Sequence, residues 1–307
     1  MKIRENMYYW EISRLNPEPA LDPSYIIDLK VREEHLRAVK QMRRIIKRIC
    51  GEGRFEDAEL LLELDRLLMM DGAQYSEFVA FMNTCDISQS IYAKLEENER
   101  IDILKHLLHA FCERRFHIYE RLSEDDVCVM QAIMDRGAVR RFAGLGKTKV
   151  KDILARYGFK EVEMPSLFYA IRDKLVFDVD RHKRHFTRIC SLLGVQRDFK
   201  KRPDLMVRIY DHILIIEIKH IKEAGGAQDK QIKELIEFID VSEPKEENIH
   251  YVSFMDGRYA NTVFQGQHQY SGDAIMALKR NPNNFFVNTA GFKHLVKDIL
   301  GSTAESV

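Results

Sequence analysis

The residues with chemistry to offer gather between positions 202 and 220, where the chain reads Arg-Pro-Asp-Leu-Met-Val-Arg-Ile-Tyr-Asp-His-Ile-Leu-Ile-Ile-Glu-Ile-Lys-His. Asp204, Glu217 and Lys219 are the reactive side chains. Charges at the end of an apolar run are costly to bury unless they pair with each other or with a metal. Residues 205–210 and 213–218 read as two strands, the second almost wholly apolar and β-branched, as suits a strand buried on both faces. Asp211 and His212 read as the turn between them. Glu217 and Lys219, two apart, share a face. With a two-residue loop at 211–212, Asp204 falls opposite Lys219 and diagonal to Glu217. Two carboxylates at that reach suit one Mg²⁺, which takes one or two carboxylates and keeps several waters. The lysine can orient or deprotonate a water, or steady charge on a phosphate. A one-residue slip would send Asp204 to the other face.

Pro203-Asp204 followed by Glu217-Ile218-Lys219 resembles the PD-(D/E)XK nuclease signature. The apolar strand before Glu217 and the intact proline strengthen the likeness. So does the segment 221–231, a Gly-rich turn bearing Gln228 and Lys230 that is similar to what some restriction endonucleases carry. The resemblance implies a type II restriction endonuclease that cuts double-stranded DNA with Mg²⁺, as a homodimer, beside a companion DNA methyltransferase. It implies Asp204, Glu217 and the Ile218 carbonyl as metal ligands and Lys219 as the residue that positions or activates water. Gln228 and Lys230 become candidates for DNA contacts. Two alternatives stay open: a repair or recombination nuclease with the same core, and a DNA-binding module whose nuclease core is structural.

A second motif, Phe-Ala-Gly-Leu-Gly-Lys-Thr-Lys-Val at 142–150, resembles a helix-hairpin-helix element within 139–157. Gly144 and Gly146 would allow a tight turn. A helix starting near Lys147 would aim backbone N–H groups at a phosphate, with Lys147 and Lys149 adding charge.

The elements that must position these residues divide the chain of 307 residues into an α-helical half, 1–165, and a nuclease half, 166–307. In the first, residues 31–49 form a basic amphipathic helix, read either as a solvated face or as a helix along a phosphate backbone. Tyr8, Tyr9 and Trp10 lie in an irregular lead-in, and packing against the body is their expected role. His106 and His109 lack a third ligand and read as ordinary histidines. In the second half, helices near 168–175 and 178–193 precede the hairpin. Helix, strand, helix, strand and helix follow it, giving an α/β fold: a mixed sheet flanked by helices like that of restriction endonucleases. Gln265, Gln267 and Gln269 sit in a polar loop, as solvated residues or as readers of base edges.

A net charge of zero offers no global attraction to nucleic acid, so any DNA contact must come from local basic patches. No apolar run reaches the length of a membrane span, and the amino end has no signal-peptide core. Five scattered cysteines argue for the reducing cytoplasm and against a disulfide frame or zinc site.

Overall fold

Six strands pair in one sheet whose spatial order follows the chain: β1 (Lys160–Glu161), β2 (Lys174–Asp178), β3 (Leu205–Ile209), β4 (His212–His220), β5 (Ile249–Asp256) and β6 (Phe285–Val287). The computed structural model that shows them describes residues 3–25, 30–138, 142–195, 197, 199, 201–241 and 248–304. β2, β3 and β4 form an antiparallel meander, while β1 joins β2, β5 joins β4 and β6 joins β5 in parallel. The sheet is therefore mixed and the fold is α/β.

Helices accompany it in two groups. The sheet carries α1 (Asn6–Leu15), and a separate helical unit follows: α2 (Glu33–Glu52), α3 (Ala58–Leu68), α4 (Glu77–Thr84), α5 (Gln89–Tyr92), α6 (Glu97–Arg114), α7 (Phe116–Tyr119) and α8 (Cys128–Ala138). The chain then returns to the sheet with α9 (Phe142–Arg156), α10 (Pro165–Ala170), α11 (Phe186–Leu192), α12 (Gly226–Ile239), α13 (Ala260–Phe264), α14 (Ser271–Arg280) and α15 (Thr289–Ala304). The compact units are thus 27–141 on one side, and 1–26 with 142–307 on the other, which replaces the expected division at 165. The reason is packing: α1 and α9 both bury their apolar residues against the sheet.

β4 separates two cores. Its Ile213 and Ile215 join Ile232, Leu235 and Ile236 of α12. Its Leu214, Ile216 and Ile218 join Val150, Ile153 and Leu154 of α9 and Phe292 and Leu295 of α15. Period-two alternation thus serves two apolar layers at once, which is why the run shows no polar face. β6 is an edge strand, and α1 covers it. Tyr9 packs on Phe285 in one core, and Trp10 packs on Phe264 and Phe286 in the other. Both aromatics are buried, as expected, and the edge is closed to further pairing.

Three local expectations change. The hairpin pairs Leu205 with Ile216 and Ile209 with His212, so the turn is Tyr210-Asp211 rather than Asp211-His212. Tyr210 takes φ 55°, a left-handed conformation rare for a bulky residue, and its carbonyl accepts from Arg208 at 3.1 Å. The segment 174–178 is strand β2, and the helix expected over 168–175 is the shorter α10. The helix expected over 178–193 shrinks to α11 after a 3₁₀ turn at Lys183–His185.

In the helical unit, the α2 stripe of Val39, Met42, Ile45, Ile46 and Ile49 is buried, and Gly53 (φ 69°) ends the helix. Asp57 caps α3 by accepting from the Glu59 and Leu60 N–H groups. Four of the six basic side chains of α2 are already paired within the unit. Arg43 is buried against Glu77 at 2.9 Å, Lys40 and Arg44 meet Asp125 and Glu124, and Lys47 donates to the Leu122 carbonyl. This pairing favours a structural role for that face over a phosphate track. Cys50 of α2 and Cys112 of α6 are joined as a disulfide, contrary to the expectation of free thiols throughout.

Candidate active site

The two-residue change in register alters which residue Asp204 meets, without moving it off its face. With Leu205 paired to Ile216, the next step along each strand brings Asp204 beside Glu217 rather than Lys219. The Asp204 N–H donates to the Ile216 carbonyl at 2.9 Å, and Asp204 Oδ2 accepts from the Ile218 N–H at 2.7 Å. Asp204 therefore uses its own side chain to continue the ladder where the strand pairing ends. Glu217 is buried on the α12 side of β4. Lys219 Nζ lies 2.9 Å from Glu217 Oε1 and 3.3 Å from Glu234 Oε2 on α12. Lys201 Nζ reaches the same Glu217 Oε1 at 2.5 Å.

Glu217 opens into a cleft of about 750 Å³ whose rim includes Lys201, Lys230, Lys233 and Glu234. The cleft floor holds Arg197, whose guanidinium stands 4.8–5.0 Å from the rings of Phe199, Phe238 and Tyr251 and donates to the Phe238 carbonyl at 2.7 Å. Lys230 thus lies at the mouth of the cleft. Gln228 lies in the first turn of α12 with its Oε1 against Gly225, and it does not line the cleft.

Burial and then the nearby Glu217 charge raise the Asp204 carboxyl to about 6, against the opposing Ile218 N–H. Burial works against the Lys219 ammonium, but Glu217 outweighs it and holds the lysine above its ordinary value. Lys219 is therefore a fixed cation near neutral pH. It can orient a water or steady a phosphate, but it is in the wrong protonation state to remove a proton. The roles left open by the sequence narrow accordingly.

The donor set fits a hard divalent cation. Asp204 resists ionisation because it is buried and lies near the Glu217 charge, and a bound cation would offset both effects. Among the described residues no group of three or more His, Cys, Asp or Glu side chains stands ready to hold a metal. The protein would thus supply two carboxylates, with water and backbone oxygen completing the shell, as Mg²⁺ prefers.

The second motif is placed elsewhere and built differently. Residues 142–156 form one continuous helix, so Gly144 and Gly146 lie inside α9 and no hairpin forms there. Residues 139–141, the start of the expected element, fall outside the described residues. Gly146 faces β4, and a Cβ on it would meet Ile218 Cγ2 at 2.9 Å. It serves close packing of helix on sheet, while Gly144 is exposed with open space around it. Lys147 pairs with Asp178 at 3.1 Å and Asp180 at 2.9 Å. Lys149 is buried among Glu18 (3.0 Å), Asp22 (2.6 Å) and Asp256 (3.1 Å). Both lysines approach from the α9 face of the sheet, whereas Asp204, Glu217 and Lys219 belong to the α12 face. The structure thus brings the catalytic candidates together and leaves the four residues of the second motif apart from them, as parts of the scaffold.

The loop at 259–270 contains α13, and Gln265 and Gln267 remain exposed beside it. Gln269 donates to Asp229 at 3.1 Å. Two members of the site escaped the sequence reading, Lys201 and Glu234. Glu234 lies four residues beyond Lys230 and so on the same face of α12, a helical spacing that was available as a signal. Lys201 had none, because it is placed by an irregular segment. No family model matches the chain, and no curated protein or solved structure shows significant similarity to it.

Proposed function

We propose that this protein is a Mg²⁺-dependent endonuclease that hydrolyses phosphodiester bonds in double-stranded DNA, as type II restriction endonucleases do. The observation that carries the reading is the crowding of Asp204 against Glu217 on one face of the β3–β4 hairpin, with Lys219 fixed beside them. The β3–β4 hairpin followed by α12 and the strand β5 supports the reading, since the resemblance implies a hairpin, a helix and a strand in that order. When bound, Mg²⁺ would polarise the phosphate and lower the pKa of a coordinated water. Asp204, Glu217 and the Ile218 carbonyl would hold it. Lys219, kept protonated by Glu217, orients the attacking water and steadies charge on the phosphate. Lys230 and Lys233 at the cleft mouth offer backbone contacts, which position DNA without reading its sequence. On this reading the enzyme acts as a homodimer in the cytoplasm, next to a methyltransferase that protects host sites.

Purified protein incubated with plasmid and Mg²⁺ should give discrete fragments, and EDTA should stop the reaction. A smear would instead indicate a repair or recombination nuclease with the same core. Absence of cutting on plasmid, nicked and branched substrates alike would leave only a binding module.

A further inference from the structure

Glu217 Oε1 accepts two ammonium groups at once, from Lys201 at 2.5 Å and Lys219 at 2.9 Å. A carboxylate oxygen offers about two lone-pair directions. That oxygen is therefore saturated, and a cation that binds it must displace one of the two ammonium groups. The two lysines are not equivalent. Lys219 is half-buried, stands on β4 and has a second partner in Glu234. Lys201 has a side chain 59% exposed, and Glu217 is its one ion-pair partner among the described residues. It is rooted only three residues before Asp204, with buried Pro203 between, so its base stays beside the site while its four-carbon stem is free to swing.

We propose that Lys201 occupies the cation seat on Glu217 in the metal-free protein, yields it to the divalent metal, and then turns to a phosphate of the bound DNA. The proposal rests on the metal-centre reading above. A divalent cation between Asp204 and Glu217 repels the nearest mobile ammonium, and that is Lys201. Once displaced, Lys201 gains most from an anion in the cleft, and the DNA backbone supplies one. Metal and DNA then favour each other through one side chain. The coupling must be reciprocal: DNA raises metal affinity by the factor by which metal raises DNA affinity. Lys201 is thus a positioning residue that keeps the site charge-balanced when empty and links its filling to substrate.

The test uses Mn²⁺ binding to the full chain, followed by electron paramagnetic resonance of the free ion. It is run without DNA and then with a cleavage-resistant phosphorothioate duplex. Lys201→Met should bind Mn²⁺ roughly two- to fivefold more tightly than wild type without DNA, the scale expected for removing one partly exposed ion pair. Adding the duplex should tighten Mn²⁺ binding to wild type and do so less for Lys201→Met. Lys201→Gln, which keeps a polar chain without the charge, should behave like Lys201→Met, and equal thermal midpoints would show that folding is intact. Unchanged or weaker Mn²⁺ binding by both variants, with Asp204→Asn binding still impaired, would overturn the seat-exchange role alone. If wild type binds no Mn²⁺, or Asp204→Asn binds it equally well, the metal-centre reading falls and this proposal falls with it.

Discussion

Two lysines stand among carboxylates on opposite faces of the same sheet, and they are built to different ends. On the α9 face, Lys149 is buried with Glu18, Asp22 and Asp256, and Asp256 also meets Tyr25 and accepts from His220. Burial opposes the Lys149 charge, and the surrounding carboxylates, Asp256 first, more than restore it. Its members come from the lead-in, α9, β4 and β5, and Glu18, Asp22 and Lys149 also line a cavity of about 410 Å³. On the α12 face, Lys219 stands beside Glu217 at the edge of an open cleft, and the neighbouring Asp204 is held with an abnormally high proton affinity. The first cluster is satisfied and ties chain segments together. The second leaves the Asp204 carboxyl poorly compensated, beside Glu217, which lines the cleft. Perturbed carboxylates beside clefts are where chemistry tends to reside, whereas fully paired ion networks are usually braces.

The sharpest way to break this comparison is to mutate one member of each cluster. Glu217→Ala should lower the cutting rate roughly a thousandfold or more, the scale set by several kcal/mol of metal-supplied transition-state stabilisation. Its denaturation midpoint should fall less than that of Lys149→Met, since Lys219 keeps Glu234 as a partner and Asp204 loses a repelling neighbour. Lys149→Met should do the reverse, since it strands three carboxylates in a buried pocket. A loss on the order of 3–5 kcal/mol is expected from urea unfolding, with near-normal cutting by the molecules that stay folded. If Lys149→Met folded normally but failed to cut, the α9 face would have to be counted as part of the site.

A second prediction concerns what the site costs the fold. A carboxyl held at about 6 in the folded protein, against an ordinary value near 4, binds its proton more tightly folded than unfolded. The folded state is thus favoured at low pH and loses that advantage as pH rises from about 4 through about 6. Above that range the charged Asp204 opposes folding by roughly 3 kcal/mol. Asp204→Asn should therefore melt several degrees higher than wild type at pH 8 in EDTA, and the gap should close near pH 4. Saturating Mg²⁺ should raise the wild-type midpoint and leave the variant unmoved. A variant less stable than wild type at pH 8 would mean that Asp204 is a brace after all.

These contrasts also mark what the sequence could tell. The hairpin was legible because residues 213–216 are apolar and β-branched. The shared face of Asp204, Glu217 and Lys219 was legible because side chains alternate with period two. That argument tolerated the misplaced turn, since a shift of two residues preserves the face. The turn itself was misread because Tyr210, not a typical turn residue, takes the left-handed position next to Asp211. β2 was absorbed into neighbouring helices, for a five-residue strand buried on nearly all sides has no polar alternation to show. The pairing of α1 with β6, and the return of the chain at α9, depend on contacts distant in sequence that no local pattern records. Lys201 was invisible for the same reason.

The smallest expected effect separates the two readings of the second motif most cleanly. A helix-hairpin-helix would need both Gly144 and Gly146 for its turn, so an alanine at either position should do harm. Inside a continuous α9 the two positions differ. Gly144 has nothing within 4 Å of the place a Cβ would occupy. Gly144→Ala should therefore stabilise the protein by about 0.5–1 kcal/mol through helix propensity alone. Gly146→Ala gains the same propensity but drives a methyl to 2.9 Å from Ile218 Cγ2, on a β-branched side chain with little freedom to yield. The expected net result is a loss of about 1 kcal/mol. It should also lower cutting several-fold, because Ile218 stands between Glu217 and Lys219 and displacing it moves both. Urea midpoints for the two variants, read beside plasmid cleavage, decide the matter. Destabilisation by Gly144→Ala comparable to that by Gly146→Ala would restore the hairpin and with it the case for a phosphate grip on the α9 face.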